Sequence, residues 1–262
     1  MNKNEIASFA ETIALNAGKI ISKGFRSKSI SISYKSRTNI VTNIDKESEK
    51  YLFNSIKDQY PDHTVIAEEG SRREREGEFI WYVDPLDATN NYAHGIPYFC
   101  ISIGIYSIVE QRSIIGIVYD PFHKEMFKGI YGQGAFLNGD IIEVSRIDDI
   151  GISILATGFP YDKTDPKSNN LDEFNAILPC VQGARRMGSA ALDLSYVACG
   201  RFDGYWEPGL FPWDMAAGSI IVEEAGGKVT KYNGDPFDPE CPEIAASNSR
   251  IHKELLTCLC RS

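Results

Sequence analysis

The chain has 262 residues, with 36 acidic and 27 basic side chains, a formal charge of −9, 43% hydrophobic and 24% charged residues. Such a composition excludes a disordered, collagen-like or simple coiled-coil chain and allows one large domain or two small ones with a sizeable core. The acidic balance also speaks against a general nucleic-acid binder, whose phosphate contacts need clustered Lys and Arg, so no direct nucleic-acid binding is expected and an anionic substrate would need a local positive charge.

The N-terminal segment spaces Ile6, Phe9, Ile13, Ala17 and Ile20 three or four residues apart, which places one apolar stripe on a helix ending near Gly24. Glu5 and Glu11 interrupt any secretory signal. After a polar, basic stretch that reads as a loop or hairpin, a second helix is expected over residues 44–59, with Tyr51, Leu52 and Ile56 on one face and Pro61 beyond it. Short β-type runs follow at 64–67, 79–83, 101–109, 114–119 and around 126–130, with the spacer 110–113 forming an antiparallel hairpin. In the second half, strands are expected at 152–156, 202–206, 228–232 and 243–246. Helices are expected at 171–178, 189–198 and 215–224 and from Ser249 onward. A sheet-rich half over residues 1–150 and an alternating half over 151–262 predict an α+β unit joined to an α/β unit in one body. The longest largely apolar run, 100–109, is about half of a membrane helix. The six cysteines (Cys100, Cys180, Cys199, Cys241, Cys258 and Cys260) contain no C-x-x-C pair and read as reduced thiols. The expected location is the cytoplasm, without membrane contact.

The most informative segment is Trp81-Tyr-Val-Asp84-Pro-Leu-Asp87-Ala-Thr89-Asn, where an apolar strand runs into two carboxylates three residues apart. Asp84 is placed at the strand end, and Asp87-Ala88-Thr89 opens a turn or helix whose free N–H groups suit an anion. A hard cation such as Mg²⁺ would reconcile carboxylate and phosphate at one place. A plain turn with a helix N-cap is the competing reading. Two further acidic positions share this context: Glu68-Glu69 after the strand at 64–67, and Asp214 after Phe211-Pro-Trp213 at the start of an apolar helix. Taken singly, these read as a solvated loop pair and an ordinary N-cap.

In combination, Ala67-Glu68-Glu69, Asp84-Pro-Leu-Asp87-Ala-Thr89-Asn and Trp213-Asp214-Met-Ala-Ala-Gly218 closely resemble the inositol monophosphatase family of metal-dependent phosphatases. Supporting pieces are Lys35-Ser36, Val41-Thr42-Asn-Ile-Asp45, the run from Asn91 to Pro97, Ala156-Thr-Gly158-Phe-Pro160, Gly188-Ser189-Ala190-Ala191, Tyr205-Trp-Glu207 and Glu224-Ala-Gly226-Gly227, so the resemblance covers nearly the whole chain. It implies a mixed, layered αβαβα sandwich of the sugar-phosphatase type, Mg²⁺ dependence, inhibition by Li⁺ and a homodimer. Carried over residue by residue, it implies that Glu68, Asp84 and the Leu86 carbonyl hold one metal while Asp84, Asp87 and Asp214 hold a second. Thr89, backed by Asp45, would position the attacking water, and the backbone at Ala88 and Thr89 would receive phosphate oxygens. Ser189, Ala190 and Glu207 would line a polyol pocket. Asp45 also fits a variant capping box with Thr42, and both roles can coexist. Glu207 would otherwise be a loop acid beside Pro208.

One position departs from the family pattern: Ala88 stands where glycine is usual, which costs about 1 kcal/mol or more if its φ is positive. Arg185 and Arg186 could steer an anion, although paired arginines are more often solvated. The four histidines, His63, His94, His123 and His252, form no ligand pair, and Tyr131-Gly-Gln-Gly134 reads as a turn. The implied activity is phosphomonoester hydrolysis on a small polyol or sugar phosphate, inositol 1-phosphate foremost. The same core also serves 3′(2′),5′-bisphosphate nucleotides, fructose 1,6-bisphosphate, histidinol phosphate and NADP in related enzymes, and a transcription-associated binding protein is the non-enzymatic alternative.

Overall fold

The computed structural model describes residues 2–162, 164 and 169–260. In chain order its elements are α1 (Lys3–Gly24), β1 (Ile32–Tyr34), β2 (Ile40–Thr42), α2 (Asn43–Gln59), β3 (Thr64–Ala67), β4 (Arg72–Arg73), β5 (Phe79–Asp87), α3 (Thr89–Ala93), β6 (Cys100–Ser107), β7 (Arg112–Asp120), β8 (Glu125–Ile130), β9 (Gly134–Leu137), β10 (Asp140–Ile142), β11 (Ile154–Thr157), α4 (Leu171–Ile177), β12 (Gly183–Arg185), α5 (Ala190–Ala198), β13 (Gly204–Pro208), α6 (Pro212–Glu224), β14 (Lys228–Thr230), β15 (Glu243–Ser247) and α7 (His252–Leu259). The predicted helices and longer strands are all present. Strands β4, β9, β10 and β12 escape the pattern reading because two to four residues are too few to display a period.

Eight strands form the larger sheet, in the order β10-β9-β8-β7-β6-β5-β3-β4, and five form the smaller, in the order β12-β11-β13-β15-β14. The larger sheet is antiparallel except where β3 runs parallel to β5. In the smaller sheet β11 runs parallel to β12 and β13, while β15 pairs antiparallel with β13 and β14. Helices α1 and α2 cover one face of the larger sheet, α5 and α6 lie between the sheets, and α4 and α7 close the far side, giving five layers in the order αβαβα. Each interface has its own apolar core. Ile13, Leu52, Trp81 and Ile103 belong to the first, Leu194, Met215, Ile221 and Tyr205 to the second, and Leu155, Trp206, Ile251 and Leu255 to the third.

The seat of α6 is cut by glycine. Gly104 on β6 is in register with Gly116 on β7, which is in register with Gly129 on β8. A Cβ at these positions would lie 2.5 Å from Ala216, 2.2 Å from the Ala217 carbonyl oxygen and 2.8 Å from Ile221 Cα, respectively. The row of missing side chains lets the helix backbone rest directly on the sheet, which carries the N-terminal turn of α6 to the end of β5.

No helix among the described residues is long and apolar enough to cross a membrane. Cys100, Cys180, Cys199, Cys241 and Cys260 are free thiols.

Candidate active site

Strand β5 runs through Asp84 to Asp87, further than the pattern reading placed its end. Asp84 pairs with Ser102 and Asp87 with Cys100, so three steps along β5 match two along β6. Side chains three residues apart in a regular strand point to opposite faces, and this one-residue bulge at Pro85-Leu86 turns both carboxylates to the same side. Asp84 Oδ1 accepts the Leu86 N–H at 2.9 Å, and Ser48 Oγ of α2 donates to the Pro85 carbonyl at 3.0 Å, so the bulge is pinned on both sides. Asp84 and Asp87 are buried, with relative exposures of 2% and 8%.

Helix α2 supplies a second support. Asp45 accepts the Thr42 N–H at 2.9 Å while the Thr42 hydroxyl accepts from the Asp45 N–H at 3.4 Å, closing a capping box. The other Asp45 oxygen accepts the Thr89 hydroxyl at 2.7 Å across 44 residues. Asp45 therefore caps α2 and holds the Thr89 hydroxyl at the same time. Thr89 Oγ1 also lies 3.1 Å from the Leu86 carbonyl. At the end of β3, Glu49 of α2 accepts the N–H groups of Glu69 and Ser71 at 2.6 and 2.9 Å, which fixes the turn that presents Glu68.

Asp214 comes from the other half of the chain. It sits inside the first turn of α6, three residues after the N-cap Phe211, and is not itself an N-cap; its Oδ2 accepts the Phe211 N–H at 2.8 Å. Ser102 Oγ donates to the Trp213 carbonyl at 3.0 Å and ties this turn to β6. Glu68, Asp84, Leu86, Asp87, Ala88, Thr89, Ala190, Glu207 and Asp214 all line one cleft.

Ser189 stands differently from its expected place on the substrate wall. It is the N-cap of α5, accepting from the Leu192 N–H at 3.2 Å, and its hydroxyl donates to Asp87 Oδ2 at 2.6 Å. The Ala191 N–H donates to the same oxygen at 3.0 Å. The Ser189 hydroxyl thereby spends its one proton on orienting Asp87 and its acceptor on capping α5. Glu207 is buried at 9% exposure and accepts the Tyr205 hydroxyl. A Cβ on Gly158 would meet the Glu207 carboxylate at 2.0–2.1 Å, so glycine there makes room for the acid. The loop around Gly158 was visible in the sequence; its steric purpose was not. No histidine lines the cleft.

Burial raises the Asp84 carboxyl well above the usual range, and Glu68, Asp87 and Asp214 add to it. Asp214 is raised likewise by burial, then by Asp87 and Glu68. Asp87 is pushed up to about 6 by burial, against the opposing bonds from Ser189 and Ala191. Burial raises Glu68, partly offset by Lys35. Lys35 Nζ stands 3.0 Å from Glu68 Oε1 and 2.6 Å from Glu69 Oε1; burial alone would lower its ammonium, but these two acids outweigh it. Four carboxylates that resist ionising beside one another, with a backbone carbonyl among them, make a set of hard oxygen donors suited to a divalent cation. Among the described residues no three acidic, histidine or cysteine side chains close to metal-ligand spacing on their own, so the fit lies in donor chemistry and charge.

A five-layered αβαβα body whose halves meet over a cleft floored with carboxylates is the build of a phosphatase. The chain belongs to the inositol monophosphatase family, whose model matches residues 2–262. It is 45% identical to an inositol-1-monophosphatase from Synechocystis sp., over 82% of this chain and 75% of that one. It is 41% identical to the Nus factor SuhB of Pasteurella multocida, over 97% and 95%. Among solved structures, the inositol monophosphatase from Anabaena (Nostoc) sp. PCC 7120 superposes with a TM-score of 0.90 at 41% identity, covering 100% of this chain and 97% of that one.

Proposed function

We propose that the chain is a Mg²⁺-dependent phosphomonoesterase of small polyol or sugar phosphates, with inositol 1-phosphate the leading substrate. The observation that carries this reading is the Thr89 hydroxyl, which gives its only proton to buried Asp45 at the edge of the acidic cluster. Its lone pairs then remain to accept a proton from a water. Asp45 holds that hydroxyl in place. Glu68, Asp84 and the Leu86 carbonyl would hold one Mg²⁺, and Asp84, Asp87 and Asp214 a second. When bound, these cations lower the pKa of the attacking water and stabilise the leaving oxygen. The backbone N–H groups of Ala88 and Thr89 receive phosphate oxygens, while Glu207 and Ala190 face the hydroxyl groups of the alcohol. Ser189 and the Ala191 N–H orient Asp87.

Li⁺ inhibition, a homodimeric state and a cytoplasmic location accompany this reading through the family resemblance. A second reading, a transcription-associated binding role, is favoured by the 41% identity to a protein named Nus factor SuhB; the complete acidic set favours hydrolysis. The test is a phosphate-release screen over inositol 1-phosphate, a 3′(2′),5′-bisphosphate nucleotide, fructose 1,6-bisphosphate, histidinol phosphate and NADP, with Mg²⁺ and with excess EDTA. Hydrolysis, greatest on inositol 1-phosphate, is expected only with Mg²⁺. Thr89→Ala should lower kcat strongly with little change in KM, because its hydroxyl acts on water and not on substrate. Undiminished turnover in EDTA would overturn the reading.

A further inference from the structure

The run from Asn91 to Pro97 has no part in the chemistry described above, yet it begins on the cleft, where Asn91 stands in the lining with Asp87 and Gly188. Two tight turns fold the run back on itself. The Ile96 N–H donates to the Asn91 carbonyl and the Tyr98 N–H to the Ile96 carbonyl, each at 2.9 Å, and Gly95 takes the φ of 73° that the first turn requires. The Asn91 side chain then joins two distant parts of the chain. Its Nδ2 donates to the Tyr98 carbonyl and to the Met187 carbonyl, both at 2.9 Å. Two carbonyl acceptors fix which end of the amide is nitrogen, and both of its hydrogens are spent. A Cβ on Gly188 would lie 3.3 Å from this nitrogen, and glycine also meets the φ of 97° there.

Met187 and Gly188 lead directly into α5. The N–H groups in the first turn of a helix have no partner within it; here Leu192 gives its N–H to Ser189 Oγ at 3.2 Å and Ala191 gives its own to Asp87 Oδ2 at 3.0 Å. The Ser189 hydroxyl adds a proton to the same oxygen at 2.6 Å. Tyr98 returns to this helix through its hydroxyl, which donates to Asp193 Oδ1 at 2.7 Å. The bonds therefore close a ring: Tyr98 holds α5 by its side chain and Asn91 by its carbonyl, and Asn91 holds the strip that enters α5. Met187 on that strip is 36% exposed, whereas Ser189 is 1% exposed. An exposed strip has little packing to fix where the helix begins, and the amide supplies what packing does not. We propose that Asn91 is a positioning residue that, through Met187 and Ser189, holds the first turn of α5 against the Asp87 carboxylate and so prepares it for a cation. The part concerning the cation rests on the phosphatase reading above.

Two measurements on the full chain test it. The first is calorimetric titration of the substrate-free protein with Mg²⁺. Partners that orient metal-binding carboxylates are worth about 10- to 100-fold in metal affinity, so Ser189→Ala should weaken Kd within that range and Asn91→Ala by about 10-fold. In the double variant the loss should fall short of the product of the two by at least about twofold, because both act on Asp87 along one route. An unchanged Kd with a lowered Tm makes Asn91 a residue of the fold alone and overturns the proposal, as do losses that multiply in full. The second is hydrogen exchange at the Ala191 amide, which reads the bond to Asp87 without any metal. Its protection should fall about 10-fold in Asn91→Ala while Ile117 in β7 keeps its own; no fall, or an equal fall at both amides, overturns the proposal. Asn91→Ser, which keeps one hydroxyl donor, should lie between alanine and the wild type in both measurements. Failure of both variants to fold would assign Asn91 to folding and end the proposal. A wild type that binds no Mg²⁺, with Ala191 protection still lost in Asn91→Ala, would refute the metal reading and uphold the positioning role.

Discussion

Ala88 adopts φ 70° and ψ 47°, the left-handed conformation, at the turn between β5 and α3. For a residue with a Cβ this costs about 1–2 kcal/mol. The turn persists because both sides are tied: Asp87 by Ser189 and Ala191, Thr89 by Asp45. Ala88→Gly should therefore raise unfolding stability by about 1 kcal/mol, read from the urea midpoint with an unchanged slope. A lower midpoint would mean that the strain is absent. That Ala88 stands at the turn after Asp87 was legible from the motif, while the sign of φ had to come from the fold.

At the scale of elements, the position of Asp214 depends on how closely α6 approaches the larger sheet. Gly116 is the tightest point, where a Cβ would lie 2.2 Å from the Ala217 carbonyl oxygen and 2.6 Å from Ile220. Backbone cannot yield as a side-chain tip can, so Gly116→Ala must lift the helix. The expected cost is about 1–3 kcal/mol, as for other overpacked interiors, accompanied by a fall in turnover because Asp214 rides on the lifted turn. Thermal unfolding and kcat measured together check this; a variant with wild-type stability would show that the seat has slack. The sequence displayed these glycines as interruptions in apolar strands, but their alignment across β6, β7 and β8 depends on register, which pattern alone does not specify.

For the molecule as a whole, the buried acids link stability to pH and to cation. Burial pushes Glu207 up to about 7, opposed by the Tyr205 hydroxyl, from an ordinary value of 4.5. Between those values the folded chain keeps a proton that the unfolded chain has lost. The Glu207 contribution is therefore fully present below about 4.5 and is lost as pH rises through about 7. His252, bonded to Thr230 and Ser247 and pushed down to about 4 by burial, runs the other way and adds stability as pH rises towards 6.5. The difference between wild type and Glu207→Gln isolates the acid. In EDTA that difference should grow in favour of the variant between pH 5 and 8, by on the order of 3 kcal/mol for a shift of this size. On the proposed reading, in which Asp84, Asp87 and Asp214 hold the cation, Mg²⁺ should raise the wild-type Tm more at pH 8 than at pH 5, because cation and proton would compete for these carboxylates. Calorimetry across this range checks both; a pH-independent difference would mean that Glu207 is ionised throughout.

The sequence by itself determined what depends on neighbours along the chain. The stripe from Ile6 to Ile20 makes α1, the apolar run before Asp84 makes β5, and Thr42-x-x-Asp45 caps α2, each through a period or a cap spanning a few residues. The acidic motifs likewise announced the carboxylates that line the cleft, because they lie at the ends of such elements. Only the tertiary structure decided that a bulge turns Asp84 and Asp87 to one side, that Ser189 spends its hydroxyl on Asp87 102 residues away, that Lys35 bridges Glu68 and Glu69, and that Gly158 yields its volume to Glu207. The physical reason is that these contacts join residues whose spacing carries no period. They exist only once strand register, helix seat and layer order have brought distant parts of the chain within a hydrogen bond or a van der Waals radius of one another.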